Sequence, residues 1–162
     1  MFSSDKGAAI GLGEHGGSEG ALRGGKAIAW EGGVREPFIA RWCGRIGPGP
    51  VSTAVASTLD VFPTGANLSG AKIPKTLTLE GADLAPLRWE SKSRPQPDFF
   101  YYNADELSAM RQGPWKLHFN CGPQHVKKTE LYQIEKYISE RFDVSAANPE
   151  KVAEVLSAQD HF

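Results

Sequence analysis

Two glycine pairs only eight residues apart set the strongest constraint on this chain. Gly24-Gly25 and Gly32-Gly33 bracket one lysine, one tryptophan and a charged run within Leu22-Arg23-Gly24-Gly25-Lys26-Ala27-Ile28-Ala29-Trp30-Glu31-Gly32-Gly33-Val34-Arg35-Glu36-Pro37. Glycine tolerates φ > 0 and close backbone approach, so this density predicts a shaped loop rather than a helix or strand. Such a loop can hold one cation, Lys26, against an anionic group.

Length and charge narrow the rest. The 162 residues suffice for one domain or parts of two, and 40% hydrophobic residues are enough for a core. A net charge of −1 gives no basic footprint, so nucleic acid is not an expected partner. No apolar run approaches the roughly 20 residues that span a bilayer. Cys43 and Cys121 stand outside any CxxC and do not make a disulfide framework. With Met1 only four residues before Asp5, no leader is expected ahead of the first motif.

In chain order, Met1 to Ser4 reads as the stump of a strand and residues 7–33 as glycine-rich loop. Glu36 to Trp42 is predicted as a short apolar strand, ended by the Gly47-Pro48-Gly49-Pro50 cluster. A helix is predicted over 55–68, with Ser57 or Thr58 as N-cap, Asp60 in its first turn and Gly70 after its end. Pro63 requires it to start late, near Asp60. Residues 71–97 read as an irregular connection. Strands follow at Phe99 to Tyr102, Ala109 to Arg111, Trp115 to Asn120 and Glu130 to Gln133, the middle two forming a hairpin about Gln112-Gly113-Pro114. Trp115, Leu117 and Phe119 alternate with Lys116, His118 and Asn120, which predicts a half-buried strand with His118 facing outward. Asn148-Pro149 opens a terminal helix with Val152, Val155 and Leu156 on one face.

Two nucleotide motifs fail on context. Gly20 to Lys26 matches GxxxxGK, but Ala27 stands where a Ser or Thr would meet Mg²⁺. Gly11 to Gly16 matches GxGxxG with no helix behind it. His15 and the terminal His161 have no companions that would make them catalytic. His125, in Cys121-Gly122-Pro123-Gln124-His125, ends a near miss to a Cys-x-Pro-x-Arg motif.

The loop from Leu22 to Pro37 closely resembles the LRGGKxxxWEGGVREP segment of the sulfatase family, and Ser4-Asp5-Lys6-Gly7 resembles its SDNG motif. Glu80-Gly81-Ala82-Asp83-Leu84-Ala85-Pro86-Leu87 is similar to its DGxDLxPLL segment. The resemblance covers nearly the whole chain but only the C-terminal part of a complete sulfatase. It implies an α/β fold: residues 1–97 as the end of the catalytic α/β domain, residues 98–162 as an antiparallel sheet with a terminal helix. It implies Lys26 as a contact to the sulfate of a sulfate ester substrate, and Asp5 as a ligand to Ca²⁺ or Mg²⁺. Lys6 stands where the family has an amide whose oxygen binds the metal. An ammonium has only donors, so that ligand position is substituted. The formylglycine nucleophile of the family arises from a cysteine upstream of these motifs, so a fragment inactive by itself is expected. The alternatives are a non-catalytic binding module and, more remotely, a P-loop-like phosphate binder. Such sulfatases are often secreted, periplasmic or lysosomal.

Overall fold

The computed structural model describes residues 1–49, 51–86, 98–119 and 128–159. Leu87, Cys121, His125 and His161, singled out above, lie outside them, as does Asn120. The chain forms two compact units, Met1–Ile39 with Pro97–Phe162, and Ala40–Gln96. The first therefore brings the glycine-rich loop together with the C-terminal sheet, across more than fifty intervening residues. Helices and antiparallel sheets are mixed, as expected.

The C-terminal sheet is an antiparallel meander of four strands in sequential order: β3 (Phe99–Asn103), β4 (Glu106–Gln112), β5 (Trp115–His118) and β6 (Glu130–Gln133). Register places Phe100 opposite Met110, Met110 opposite Leu117, and Leu117 opposite Leu131. Those residues share one face. On that face Met110, Leu117 and Leu131 pack with Val155 to form the core, which Phe100, Trp115, Phe119, Val144 and Val152 extend. Val155 comes from the terminal helix (Pro149–Gln159). Leu156, expected on the same stripe, is 37% exposed, because one residue beyond Val155 turns it about 100° toward solvent. The outer edge of β6 is not left open. The Leu131 amide donates to the Asp143 carboxylate (3.1 Å), and the Leu131 carbonyl accepts from Val144 (2.9 Å).

At the other end of this unit, β1 (Phe2–Ser3) pairs antiparallel with β2 (Phe38–Ile39). The strand expected from Glu36 to Trp42 shrinks to two residues, since Pro37 lacks an amide and β1 offers only two residues to pair with. Between them, Ile10–His15 forms a 3-10 segment broken at Gly13 (φ 57°, ψ −134°), so the GxGxxG match is an exposed turn and not a strand-to-helix junction. Glu31–Val34 makes one helical turn, α1.

Unit Ala40–Gln96 is built on helix α2 (Val61–Ser69), preceded by a 3-10 turn over Thr58–Asp60. Ser57, one of the two expected N-caps, caps this 3-10 turn and Asp60 answers it: Ser57 Oγ accepts from the Leu59 amide (3.0 Å), and Asp60 Oδ2 accepts from the Ser57 amide (2.8 Å). Starting the α-helix at Val61 puts Pro63 in its first turn, where a missing amide costs nothing. Gly70 ends it at φ 73°. Asp60 also accepts from Ala82 (2.7 Å), and Thr64 Oγ1 accepts from Leu84 (2.8 Å), so the Gly81–Leu84 stretch is pinned on the helix. The terminal helix of the chain is designated α3.

Because Leu117 is fully buried between β4, β6 and α3, Leu117→Ala is expected to destabilise the first unit by about 2–5 kcal/mol. Leu156→Ala is expected to stay within about 0.5 kcal/mol, as surface changes do. Urea midpoints of the two variants check this. Equal losses would mean that the meander face is not the core.

Candidate functional site: a glycine-rich loop clamped on a buried charge cluster

The loop from Arg23 to Gly33 folds back on itself. The Gly32 amide donates to the Arg23 carbonyl (2.8 Å) and the Gly33 amide to the Trp30 carbonyl (2.7 Å). A Cβ on Gly33 would run into the carbonyls of Ile28 and Gly25, which explains why this position has no side chain. The Lys26 amide donates to the Ala8 carbonyl (2.9 Å), and Gly7 donates to Gly33 (3.4 Å). A Cβ on Gly7 would collide with the Gly32 carbonyl. Those contacts lay the Ser4-to-Gly7 motif directly along the lysine loop. Two motifs separated in sequence thus become neighbours.

What holds this loop is ionic and buried. Lys116 Nζ lies 2.9 Å from Glu31 Oε1 and 3.3 Å from Glu140 Oε1, with all three side chains at 2% exposure or less. Glu140 Oε2 accepts from the Glu31 amide at 2.6 Å, and Glu140 Oε1 lies 2.8 Å from His118 Nε2. Trp30 stacks on the His118 ring (3.9 Å between centroids), and the Arg23 guanidinium covers the Trp30 ring at 3.6 Å. Arg23 also donates to the Glu140 carbonyl (2.8 Å) and to the Tyr132 hydroxyl (3.2 Å). Arg35, partly in solvent, lies 3.3 Å from the second oxygen of Glu31.

The titration behaviour follows from this packing. Burial pushes His118 below its ordinary value and the Lys116 charge adds to that, against the opposing pull of its hydrogen bond with Glu140. Burial by itself would raise Glu140. The His118 hydrogen bond, the Lys116 charge and the Glu31 amide outweigh it and hold the carboxyl below the usual carboxylate range. The packing thus favours a neutral His118 imidazole beside an ionised Glu140 carboxylate. The outward His118 expected from strand alternation is corrected: His118 is 3% exposed and Lys116 fully buried. Both faces of β5 are covered, one by α3 and the other by Trp30 and Glu31.

The residues singled out by sequence lie at the rim of this assembly. Lys26 is exposed, and its ammonium makes no ion pair or hydrogen bond with another described side chain. Ala27, next to it, has φ 73°. Asp5 and Lys6 are both exposed, and Ser4 Oγ donates to the Lys6 carbonyl (2.9 Å). His15 is also exposed. Glu36 carries a buried Oε1 without a hydrogen-bond partner, and burial together with the charges of Glu19 and Asp5 raises its pKa, against a hydrogen bond from Ser4. Among the described residues, no group of three or more His, Cys, Asp or Glu side chains is arranged to hold a metal ion. Asp5 supplies one carboxylate and Lys6 no acceptor, where Ca²⁺ takes six to eight oxygens, so this donor set does not fit a divalent ion by itself. Lys116, His118, Glu140, Arg23 and Tyr132 were not legible as site residues. Only the burial of both faces of β5 reveals them.

Comparison with known proteins gives a consistent outcome. No family model matches the chain. Arylsulfatase A of Bos taurus is 45% identical over 124 residues, covering 74% of this chain and 24% of the relative. An arylsulfatase of Hemicentrotus pulcherrimus is 37% identical over 135 residues, covering 83% of this chain and again 24% of the relative. The matches fall on the C-terminal part of the relatives. The chain thus spans about a quarter of their length. The crystal structure of a sulfatase from Pseudoalteromonas sp. superposes with a TM-score of 0.82 over 99% of this chain and 35% of the other, at 23% identity, which shows a shared fold.

Two outcomes test the cluster. Lys116→Met removes the ammonium between Glu31 and Glu140, so a loss of about 3–5 kcal/mol is expected in urea unfolding. A loss under about 1 kcal/mol would mean that water reaches the carboxylates. The second is pH dependence. His118 resists protonation in the fold but not in the unfolded chain, so the unfolded state binds more protons below about pH 6.5. Stability is therefore expected to fall from pH 6.5 downward, and again below about pH 4.5 as Glu140 is forced to protonate. Melting temperatures at pH 7.5, 6 and 5 check this, with His118→Gln expected to flatten the first drop. A drop of the same size in that variant would assign it to other groups.

Proposed function

Because this chain belongs to the sulfatase family, in its C-terminal portion, we propose that it carries part of the metal and sulfate site of an arylsulfatase-type sulfuric ester hydrolase. The substrate class is a sulfate ester. The observation that carries the reading is the seating of the lysine loop on the Ser4-to-Gly7 motif, with the Lys26 amide on the Ala8 carbonyl. Lys26 is the sulfate contact. A sulfate ester bears one negative charge, and an ammonium about 4 Å away interacts with it by roughly 4 kcal/mol at an effective dielectric near 20. The exposure of Lys26 and its lack of a partner among the described residues support an ammonium available to an outside anion.

Asp5 takes a metal-ligand position, and the rest of a Ca²⁺ or Mg²⁺ donor set would come from outside these 162 residues. Lys6 stands at the neighbouring ligand position and disfavours the ion unless its side chain turns away. No Cys- or Ser-x-Pro-x-Arg stretch occurs in the sequence, so the nucleophile is not supplied here. Lys26 by itself would bind substrate and transition state about equally, which does not accelerate the chemical step. The family's two subdomains would meet near residue 97 of this numbering, with the clamp described above crossing between them.

A chromogenic arylsulfate assay in the presence of Ca²⁺ tests the reading. The 162-residue chain alone is expected to be silent. Mixed with the N-terminal portion of an arylsulfatase, it is expected to restore turnover, and Lys26→Ala to lower that turnover at least 100-fold, as removal of one charge-stabilising donor does. Turnover by the chain alone, or undiminished turnover with Lys26→Ala, would overturn it.

A further inference from the structure

The roots of the lysine loop converge on one residue of the C-terminal sheet unit. At the first root, the Arg23 guanidinium donates to the Glu140 main-chain carbonyl (2.8 Å). At the second, the Glu31 amide donates to the Glu140 carboxylate (2.6 Å). The same carboxylate holds Lys116 and His118, which in turn hold the Glu31 side chain and the Trp30 ring. Between the roots the Gly32 amide closes onto the Arg23 carbonyl, so Lys26 and Ala27 form the tip of a closed loop gripped at its base.

Two backbone outliers accompany this grip. Glu140 has φ 46° and Ala27 has φ 73°, a left-handed region that costs a side-chain-bearing residue roughly 1–2 kcal/mol. Neither is glycine, so neither conformation is a default. Such conformations persist where surroundings over-determine them. For Glu140 the surroundings are the four groups named above. Ala27 lies within the loop that the Gly32 amide closes on Arg23, next to the Lys26 amide bonded to Ala8.

We propose that Glu140 is a positioning residue for Lys26, gripping both roots of the loop so that its tip presents the ammonium outward beside the Ser4-to-Gly7 motif. This rests on the reading of Lys26 as the sulfate contact for its consequence, but not for the geometry. Glu140 touches no substrate in this account. It acts through Arg23, Trp30 and Glu31, at a sequence distance of more than one hundred residues from the cation it sets.

The test uses the full chain, isotope-labelled, with inorganic sulfate as the probe, and compares the native sequence with Glu140→Gln, Arg23→Gln and Lys26→Ala. Arg23→Gln is included because it frees one root while leaving the buried carboxylates paired. Unchanged Leu117 and Leu131 amide shifts certify that the sheet remains folded. The first readout is the Ala27 Cα and Cβ shifts, which report its left-handed backbone without any ligand. Loss of that signature in Glu140→Gln or Arg23→Gln is expected, and its retention in both would overturn the proposal. The second is sulfate titration followed at the Ala27 amide, which every variant retains, with an affinity loss of at least ten-fold expected in Glu140→Gln and Arg23→Gln. A sulfate response that persists unaltered in Lys26→Ala, or is missing from the native chain, would refute the sulfate role alone. The Ala27 readout would still decide the positioning role.

Discussion

The first compact unit depends on one buried lysine placed between two buried glutamates. Lys116 Nζ lies 2.9 Å from Glu31 and 3.3 Å from Glu140, and so bridges the loop and the sheet. Taking such charges out of water costs several kcal/mol per ion, and good geometry with further hydrogen bonds only offsets that cost. The further hydrogen bonds are present: the Glu31 amide, His118 Nε2 and the Arg35 guanidinium saturate the remaining oxygens. The cluster is therefore weak as a source of net stability and strong as a source of uniqueness. A shifted loop would leave buried charges unpaired, and that penalty selects one arrangement.

The consequence reaches the surface. A loop of four glycines within ten residues has high conformational entropy when free, and only the single turn α1 at its end as regular structure. Its order is imported from the sheet, through Trp30 held between Arg23 and His118 and through Glu31 inside the ionic cluster. The order is then passed to Ala8 and Gly7 by backbone hydrogen bonds. Chemistry at the rim and packing in the interior thus form one connected structure. This accounts for a compact unit that joins Met1–Ile39 to Pro97–Phe162.

Local signals made much of this legible from sequence. Helix α2 reads in part: Gly70 ends it as expected, but it starts at Val61 rather than 55, and Ser57 caps the 3-10 turn before it. The meander reads from its alternation and its Gly113 turn, and the lysine loop from its glycine pairs. His118 does not. Alternation assigns one face of β5 to the core and the other to solvent, and nothing in the strand says that a loop ninety residues earlier covers the second face. Glu140 is less legible still, an acidic residue whose side-chain partners all come from elsewhere in the chain. Long-range charge pairing leaves no periodic trace.

Loop and sheet form one cooperative structure held by the Lys116 cluster. Native-state hydrogen exchange across a urea series tests it most directly, by comparing the Gly32 and Gly33 amides with those of Leu117 and Leu131. If the account holds, all four open with the same free energy and the same urea dependence, because freeing the loop exposes the cluster and with it the sheet. Glycine amides that open several kcal/mol more easily than the strands, with little urea dependence, would contradict it.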